Sequence, residues 1–367
     1  MIRVLHAADL HLDSPFQAMG REKAALRREE QRGLLSRMAA LVGEYEADIV
    51  LLAGDLFDAD GHYSETARML EQALPAMGVP VFIAPGNHDW YGPRSPWAGL
   101  DLGENVHVFT EEAVRCVKLP RLNVRVWGAA FTGRYRKPPL AGFQSEKQAD
   151  TVDIMVLHGE VGDPASPYGA VSEEDIARSG MHYVALGHQH TFSSLRRAGN
   201  TFYAWPGCPE GRGFDETGEK GVLLADVGQD SCEAKFVCLG GRRYETLSVD
   251  LTESWDHART VTDALGRDTS RDIYRVTLTG EPELAANVSG MRSALEGRFF
   301  ALELRDETRL RRDVWDGRET LSLRGLYLAK LWKRYEAAES DGERASIELA
   351  ARYGLRALEN GEEPSVV

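Results

Sequence analysis

The chain has 367 residues, 43% of them hydrophobic and 27% charged, with a formal net charge of −14. That composition supports a sizeable core and argues against wholesale disorder, and the length suits two or three domains of ~100–200 residues each. The acidic balance counts against non-specific nucleic-acid binding, which needs phosphate-neutralising Lys and Arg, although it leaves room for a local basic patch.

Taken in chain order, Ile2 to Ala8 reads as a short buried strand. Residues 22–43 carry Leu34, Leu35, Met38, Leu41 and Val42 at helical spacing. DIVLLAGD, from Asp48 to Asp55, is a β-branched-rich run stopped by Gly54, and residues 63–77 look helical. PVFIAPGNHD repeats the scheme of strand, glycine and polar cluster, as do VDIMVLHGE (Val152 to Glu160) and HYVALGHQH (His182 to His190). From Phe192 the pattern changes to short strands with turns, TFYAWPG, KGVLLADVG and EAKFVCLGG, which reads as a second, more antiparallel sheet. Around Arg242 a small β-α-β-α-β module begins: RRYETLSVDL, a helix over Glu253 to Leu265, IYRVTLTG, a helix over Leu284 to Leu295, and FFALELRD. The tail is helical, with an apolar stripe of Leu328, Leu331, Trp332 and Tyr335, a break at Asp341-Gly342, and a second helix carrying Ile347, Ala351 and Leu358. There is no internal repeat and no low-complexity tract.

The four cysteines, Cys116, Cys208, Cys232 and Cys238, form no C-x-x-C pair. They read as free thiols in a reducing compartment, neither a disulfide scaffold nor a zinc ribbon. The opening MIRVLHAADLH has too short an apolar run for a signal peptide, and no apolar run approaches the ~18 residues of a membrane span. The expectation is a soluble, cytoplasmic protein.

Five of the strand-like runs end in polar residues: Asp9 and His11, Asp55, Asn87 to Asp89, His158, and His188 with His190. Ligands of α/β sheets bind at the carboxyl ends of strands, so these ends are expected to converge. Asp9, His11, Asp55, Asn87, His158, His188 and His190 make seven donors, too many for one tetrahedral ion and suited to two ions sharing a bridge. Nitrogen and oxygen without sulfur favour manganese, iron or zinc over magnesium or calcium. Two divalent ions outweigh the two carboxylates, so the site would attract a phosphate. The chemistry this predicts is metal-assisted phosphoester hydrolysis.

The blocks Asp9-Leu10-His11, Gly54-Asp55-Leu56-Phe57-Asp58, Gly86-Asn87-His88-Asp89, the lone His158, and Gly187-His188-Gln189-His190 resemble, in order and spacing, the signature of calcineurin-like metallophosphoesterases. Within that superfamily HAADLHLDSP and GCPEGRGFDETGEKG are similar to the SbcD-like DNA repair exonucleases, in particular the YhaO-type branch. The match covers about residues 1–240 well and the rest only in layout. It implies a four-layer α/β/β/α sandwich of two mixed sheets over 1–240, a small α/β cap over 241–306 and a helical, partner-binding segment over 307–367. It also implies that Asp9, His11 and His190 hold one metal, that Asn87, His158 and His188 hold the other, and that Asp55 bridges them. His88 would stabilise the transition state or protonate the leaving oxygen, with Asp89 orienting its ring. Archaeal and eukaryotic relatives carry a histidine where this chain has Asp58, so that residue's role does not transfer.

The implied activity is a two-metal, manganese-dependent DNA nuclease, a 3′-to-5′ exonuclease with single-strand endonuclease activity as an option. Its implied partners are DNA and an SMC-like coiled-coil ATPase, and the resemblance leaves room for a homodimer. The alternatives are a small-molecule phosphodiesterase or phosphatase and a non-catalytic scaffold for the ATPase. His6, His62, His107, His182 and His257 have no partners in the pattern and read as core or surface histidines. TGRYRKPP groups Arg134, Arg136 and Lys137 around Tyr135, a basic loop that either contacts DNA or is simply solvated. GRGFDETGEKG lacks the G-K-[ST] ending of a phosphate-binding loop and reads as a turn close to the site. The tail stripe either docks within its own domain or grips the partner, and the reading leans to the partner.

Overall fold

The computed structural model describes residues 1–58, 64–146, 148–266, 268–282, 285–309 and 313–360. His62 lies outside them, as do residue 63 and Leu284, the expected first residues of two helices. In chain order the elements of the first half are β1 (Ile2–Ala7), α1 (Arg21–Glu44), β2 (Ile49–Leu52), α2 (Ser64–Ala76), β3 (Val81–Ile83), β4 (Val106–Val108), β5 (Arg115–Leu119), β6 (Val124–Gly128), β7 (Val152–His158), α3 (Glu173–Arg178) and β8 (Tyr183–Gly187). There follow β9 (Arg196–Ala198), β10 (Thr201–Ala204), β11 (Gly221–Val227), β12 (Cys232–Cys238), β13 (Tyr244–Asp250), α4 (His257–Ala264), β14 (Ile273–Thr279), α5 (Val288–Ala294), β15 (Ala301–Asp306), α6 (Leu323–Ala337) and α7 (Asp341–Asn360).

Two six-stranded mixed sheets carry the fold, ordered β12-β11-β1-β2-β3-β4 and β5-β6-β7-β8-β10-β9. Alternation along each strand sorts side chains to two faces. On the outer face of the first sheet Leu5, Ala7, Val50, Leu52, Val81 and Ile83 meet Leu34, Leu35 and Met38 of α1 and Leu70 and Leu74 of α2. On its inner face Val4, Ile49, Leu51, Phe82 and Leu223 meet Val124, Val126, Ile154, Val156, Tyr183 and Ala185 of the second sheet. The far face of the second sheet packs Met155, Leu157, Val184 and Leu186 against Ile176 of α3. This is the four-layer α/β/β/α sandwich.

One expectation is corrected. Strands β11 and β12 do not build the second sheet; β11 pairs antiparallel with β1, from Ile2↔Val227 to His6↔Leu223, and β12 completes the edge of the first sheet. The reason lies in burial: six of the seven residues of β11 are buried, so it needs a core on both faces, and only an interior place supplies that. Strands β4, β5, β6 and β9 went unread in the sequence. They are three to five residues long, and charged residues interrupt all but β4.

The described residues divide into two compact units: 1–246 with 268–275 and 297–303, and 247–266 with 276–282, 285–296, 304–309 and 313–360. The module from β13 to β15 has the expected β-α-β-α-β order, and its strands form a three-stranded sheet ordered β13-β14-β15. Asp256 and Asn287 cap its two helices by accepting from Arg259 N and Gly290 N. In the tail the stripe is used within the chain: Leu328, Leu331, Trp332 and Tyr335 pack with Val314, Trp315, Ile347 and Ala351. Of the four, Leu328 is buried within the chain, while Leu331, Trp332 and Tyr335 stay partly exposed. The helix break also moves, to 338–340, and Asp341 begins α7. Ser340 Oγ accepts from Glu343 N at 3.2 Å, and an acidic residue in a first turn suits the helix dipole.

Candidate metal centre

The loops after β1, β2, β3, β7 and β8 bring seven donor side chains to one place. Their backbones are held in unusual shapes. Asp9, His11, Asp55 and His188 have φ of 54°, 43°, 51° and 90°, the left-handed region that costs an ordinary residue about 1–3 kcal/mol. Cross-loop hydrogen bonds enforce them: Asp9 N donates to Gly54 O at 3.0 Å and His11 N to Asp55 O at 2.9 Å. A side chain at Gly54 would collide with the His158 ring, and one at Gly86 with the Asp55 carboxylate. Glycine is required at both because the donors approach so closely.

One group of donors holds Asp9, His11 and His190, with His11 Nε2 facing His190 Nε2 at 3.2 Å and His190 Nε2 3.8 Å from Asp9 Oδ1. The second holds Asp55, His158 and His188 around Asn87, whose Oδ1 lies 3.0 Å from His158 Nε2 and 3.1 Å from His188 Nδ1. Asp55 is grouped with His158 and His188, its Oδ2 3.3 Å from His158 Nε2, and the same oxygen lies 3.9 Å from His11 Nε2 of the first group; His11, Asp58 and His88 form a third such group. Its Oδ1 is turned away, accepting from His88 N at 2.8 Å.

The donor chemistry fits bound cations. Two imidazole nitrogens that face each other cannot both carry a proton at that distance, and His158 Nε2 faces two oxygens while its Nδ1 bonds Ala53 O at 2.8 Å. The titration directions reflect burial and the crowding of these groups. Burial pushes Asp9 up to about 6 and pulls His11 and His188 down to about 4. Against burial, the Asp55 carboxylate lifts His158 to about 9, while His158 and His11 hold Asp55 well below the usual carboxylate range.

A surrounding set of contacts aims the imidazoles. His11 Nδ1 lies 3.1 Å from Asp58 Oδ1, and His190 Nδ1 lies 2.7 Å from Glu216 Oε1. Each carboxylate fixes the proton on Nδ1 and leaves Nε2 facing the centre. Arg212 ties the two together, with Nη1 donating to Asp58 Oδ1 at 3.0 Å and Nη2 to Glu216 Oε1 at 2.6 Å. Arg212 Nη2 also lies 3.1 Å from His190 Nδ1; since Arg has only donors, the shorter carboxylate contact is the hydrogen bond. His188 Nε2 is 3.7 Å from Glu160 Oε2. Arg212, Glu216 and Glu160 went unread as site residues, although GRGFDETGEKG, read as a turn close to the site, contains the first two.

Two expected roles change. The Asp89 carboxylate does not meet the His88 ring; it is buried beneath the turn and accepts from Gly86 N, Asp55 N and Leu56 N at 2.7, 3.2 and 2.9 Å. Burial and the Asp55 charge push it up to about 7. Asp89 thus holds the loops that carry Asp55 and Asn87, while exposed His88 directs Nδ1 to Asp58 O at 2.8 Å. Arg136 is not a surface cation: it is 8% exposed, with its guanidinium donating to Ala130 O and Glu112 O at 3.1 and 2.7 Å. Its stem and head fill a site under the loop, whereas Arg134 and Lys137 are exposed. The remaining described histidines, 6, 107, 182 and 257, stand outside the centre. His6 is fully buried between Tyr183 OH and Leu186 O at 2.9 and 3.0 Å.

The sandwich thus gathers acid and imidazole donors at one end of its strands. The Calcineurin-like phosphoesterase family matches residues 2–192, and the chain belongs to it. It is similar to the uncharacterized metallophosphoesterase YhaO of Bacillus subtilis (strain 168), 30% identical over 262 residues, which is 68% of this chain and 63% of that protein. It is also similar to the SbcD component of the SbcCD nuclease of the same organism, 24% identical over 267 residues, 62% of this chain and 66% of the relative. Each match spans less than two thirds of the relative's own length. Among solved structures, a dimetal phosphatase from Danio rerio aligns at a TM-score of 0.41 and 14% identity, covering 65% of this chain and 96% of that one. Among the described residues no helix is long and apolar enough to cross a membrane.

Proposed function

We propose that the chain is a two-metal phosphodiesterase acting on DNA, a 3′-to-5′ exonuclease that works with an SMC-like ATPase. The observation that carries the hydrolase part is the pair of donor groups with Asp55 Oδ2 lying near histidines of both, beside exposed His88. In this reading Asp9, His11 and His190 hold one divalent ion, Asn87, His158 and His188 the other, and Asp55 bridges them, with manganese the first choice and iron or zinc the alternatives. A bound metal pair supplies an activated water and charge neutralisation at the phosphoryl group. The chain's own part is orientation. Glu216 and Asp58 aim two imidazoles, Asp89 fixes the loop of Asn87, and the Nδ1 contact of His88 leaves Nε2 for the leaving oxygen.

The DNA assignment is supported by the similarity to a nuclease component and by exposed Arg134 and Lys137. The ATPase partner is supported by the same relative, itself one part of a complex, and by a tail that leaves Leu321, Leu323 and Leu326 exposed by 96%, 71% and 59%. Residues 1–240 would then be the hydrolase domain, 241–306 a cap and 307–367 the partner-binding segment. A small-molecule phosphodiesterase is the second reading, favoured by the net charge of −14. A non-catalytic scaffold is disfavoured because all seven donors and His88 are present.

The test is incubation with Mn²⁺ and end-labelled duplex or single-stranded DNA, beside an Asp55→Asn control. Loss of DNA only with the unaltered protein supports the nuclease, and the label position gives direction. Intact DNA with a small diester still hydrolysed supports the second reading.

A further inference from the structure

The loop over residues 134–137 uses a buried arginine to hold an aromatic ring out in solvent. Residues 136 and 168 pair as a parallel β-bridge, with Arg136 N donating to Pro167 O at 3.0 Å and Gly169 N to Arg136 O at 3.3 Å. The Arg136 guanidinium lies 5.3 Å from the Phe131 ring, and Phe131 meets the His158 ring at 5.6 Å. The loop is thereby anchored against the metal centre itself. The bridge sets Tyr135 and Tyr168 side by side at 5.5 Å and 43°, and Tyr168 lies 5.3 Å from His188 at 32°. Rings therefore step outward from a donor of the centre: His188, half-buried Tyr168, then Tyr135 at 56% exposure. The Arg134 guanidinium stands 5.9 Å from the Tyr135 ring, and exposed Lys137 flanks it.

Hydrophobic packing alone does not explain this. An apolar ring left more than half in water contributes little to a core, yet the backbone around it is fixed by a buried Arg. Aromatic faces beside cations are the means by which proteins hold the bases and backbone of single-stranded nucleic acid without reading sequence. We infer that Tyr135 and Tyr168 form a stacking platform for the base of the nucleotide whose phosphate sits at the metal centre, with Arg134 and Lys137 facing the adjoining backbone. The inference rests on the phosphodiesterase reading and narrows its substrate to nucleotides and unpaired ends. A paired terminal base would have to leave its stack to reach the platform.

The test uses the full, Mn²⁺-loaded chain and two diesters with one leaving group, thymidine 5′-(p-nitrophenyl phosphate) and methyl p-nitrophenyl phosphate. Only the first carries a base. The platform predicts a kcat/KM ratio favouring the nucleoside diester, which falls about tenfold in Tyr135→Ala, the scale of one stacked base, and is kept in Tyr135→Phe. Calorimetric titration of thymidine 5′-monophosphate against 2-deoxyribose 5-phosphate should give the same pattern in affinity, independent of turnover of either diester. A ratio near one in the unaltered protein, or one that Tyr135→Ala leaves intact, overturns the platform. Base dependence with intact DNA keeps the platform and removes the DNA assignment; degraded DNA without base dependence does the reverse.

Discussion

The strand-end loops and the paired tail helices are held together by opposite means. At the metal centre four non-glycine residues occupy left-handed backbone, and buried carboxylates and imidazoles crowd one another. That region is strained and charged, and it is stable only because the sandwich around it fixes the loops. In the tail Val314, Trp315, Leu328 and Ala351 form a small cluster, with Trp315 5.1 Å from Trp332 and Trp332 stacked on Tyr335 at 5.3 Å. Its contacts are mainly apolar, with one directed hydrogen bond between the helices from Tyr327 OH to Ala350 O at 2.7 Å. The first arrangement fixes individual polar atoms through directed bonds; the second mainly buries apolar surface.

If that contrast is right, the two regions fail differently. The largest effect is expected at the shared carboxylate: Asp55→Asn should lower phosphodiester hydrolysis by on the order of a thousandfold, with the thermal transition kept, as read by a chromogenic diester assay and calorimetry. In the tail, Leu328→Ala should destabilise α6 and α7 by about 2–5 kcal/mol, seen as faster hydrogen exchange there, with diester hydrolysis unchanged. Glu216→Gln should weaken metal affinity about 10- to 100-fold, measured by competition with a chelator, because the Nδ1 proton of His190 loses its charged acceptor. Unchanged affinity would mean that the Glu216 charge does not set how His190 binds metal.

The smallest effect concerns a buried base away from the centre. Burial pulls His6 down to about 3, against an ordinary 6.5 in the unfolded chain. The unfolded state therefore binds the extra proton first as pH falls. Its contribution is complete above about 6.5 and is lost from there down to about 3, with a slope of up to about 1.4 kcal/mol per pH unit. His6→Gln should flatten that part of a stability-against-pH curve from chemical denaturation.

The same contrast explains what could be read in advance. Strands β1, β2, β3, β7 and β8 announced themselves because each ends in a glycine or polar cluster that only a functional strand end needs. The seven donors were legible together with their convergence. Asp89 and Arg136 were not. Asp89 reads as a partner of the His88 ring and Arg136 as a cation of a basic loop, but Asp89 spends its carboxylate on three amide groups and Arg136 its guanidinium on two carbonyls. Local pattern does not report which polar groups the backbone will consume. Strand β11 was legible as a strand but not as a neighbour of β1, since pairing across more than two hundred residues has no local signal. The tail stripe was legible as apolar and silent about its occupant, which proved in part to be Trp315 and α7.

The central proposal is that Asp55 is a ligand common to two metal ions. Electron paramagnetic resonance of the chain loaded with Mn²⁺, beside elemental analysis, tests it most directly. The account predicts two ions per chain with an exchange-coupled signal, and loss of that coupling in Asp55→Asn. A single ion per chain, or two ions without coupling in the unaltered protein, would contradict it.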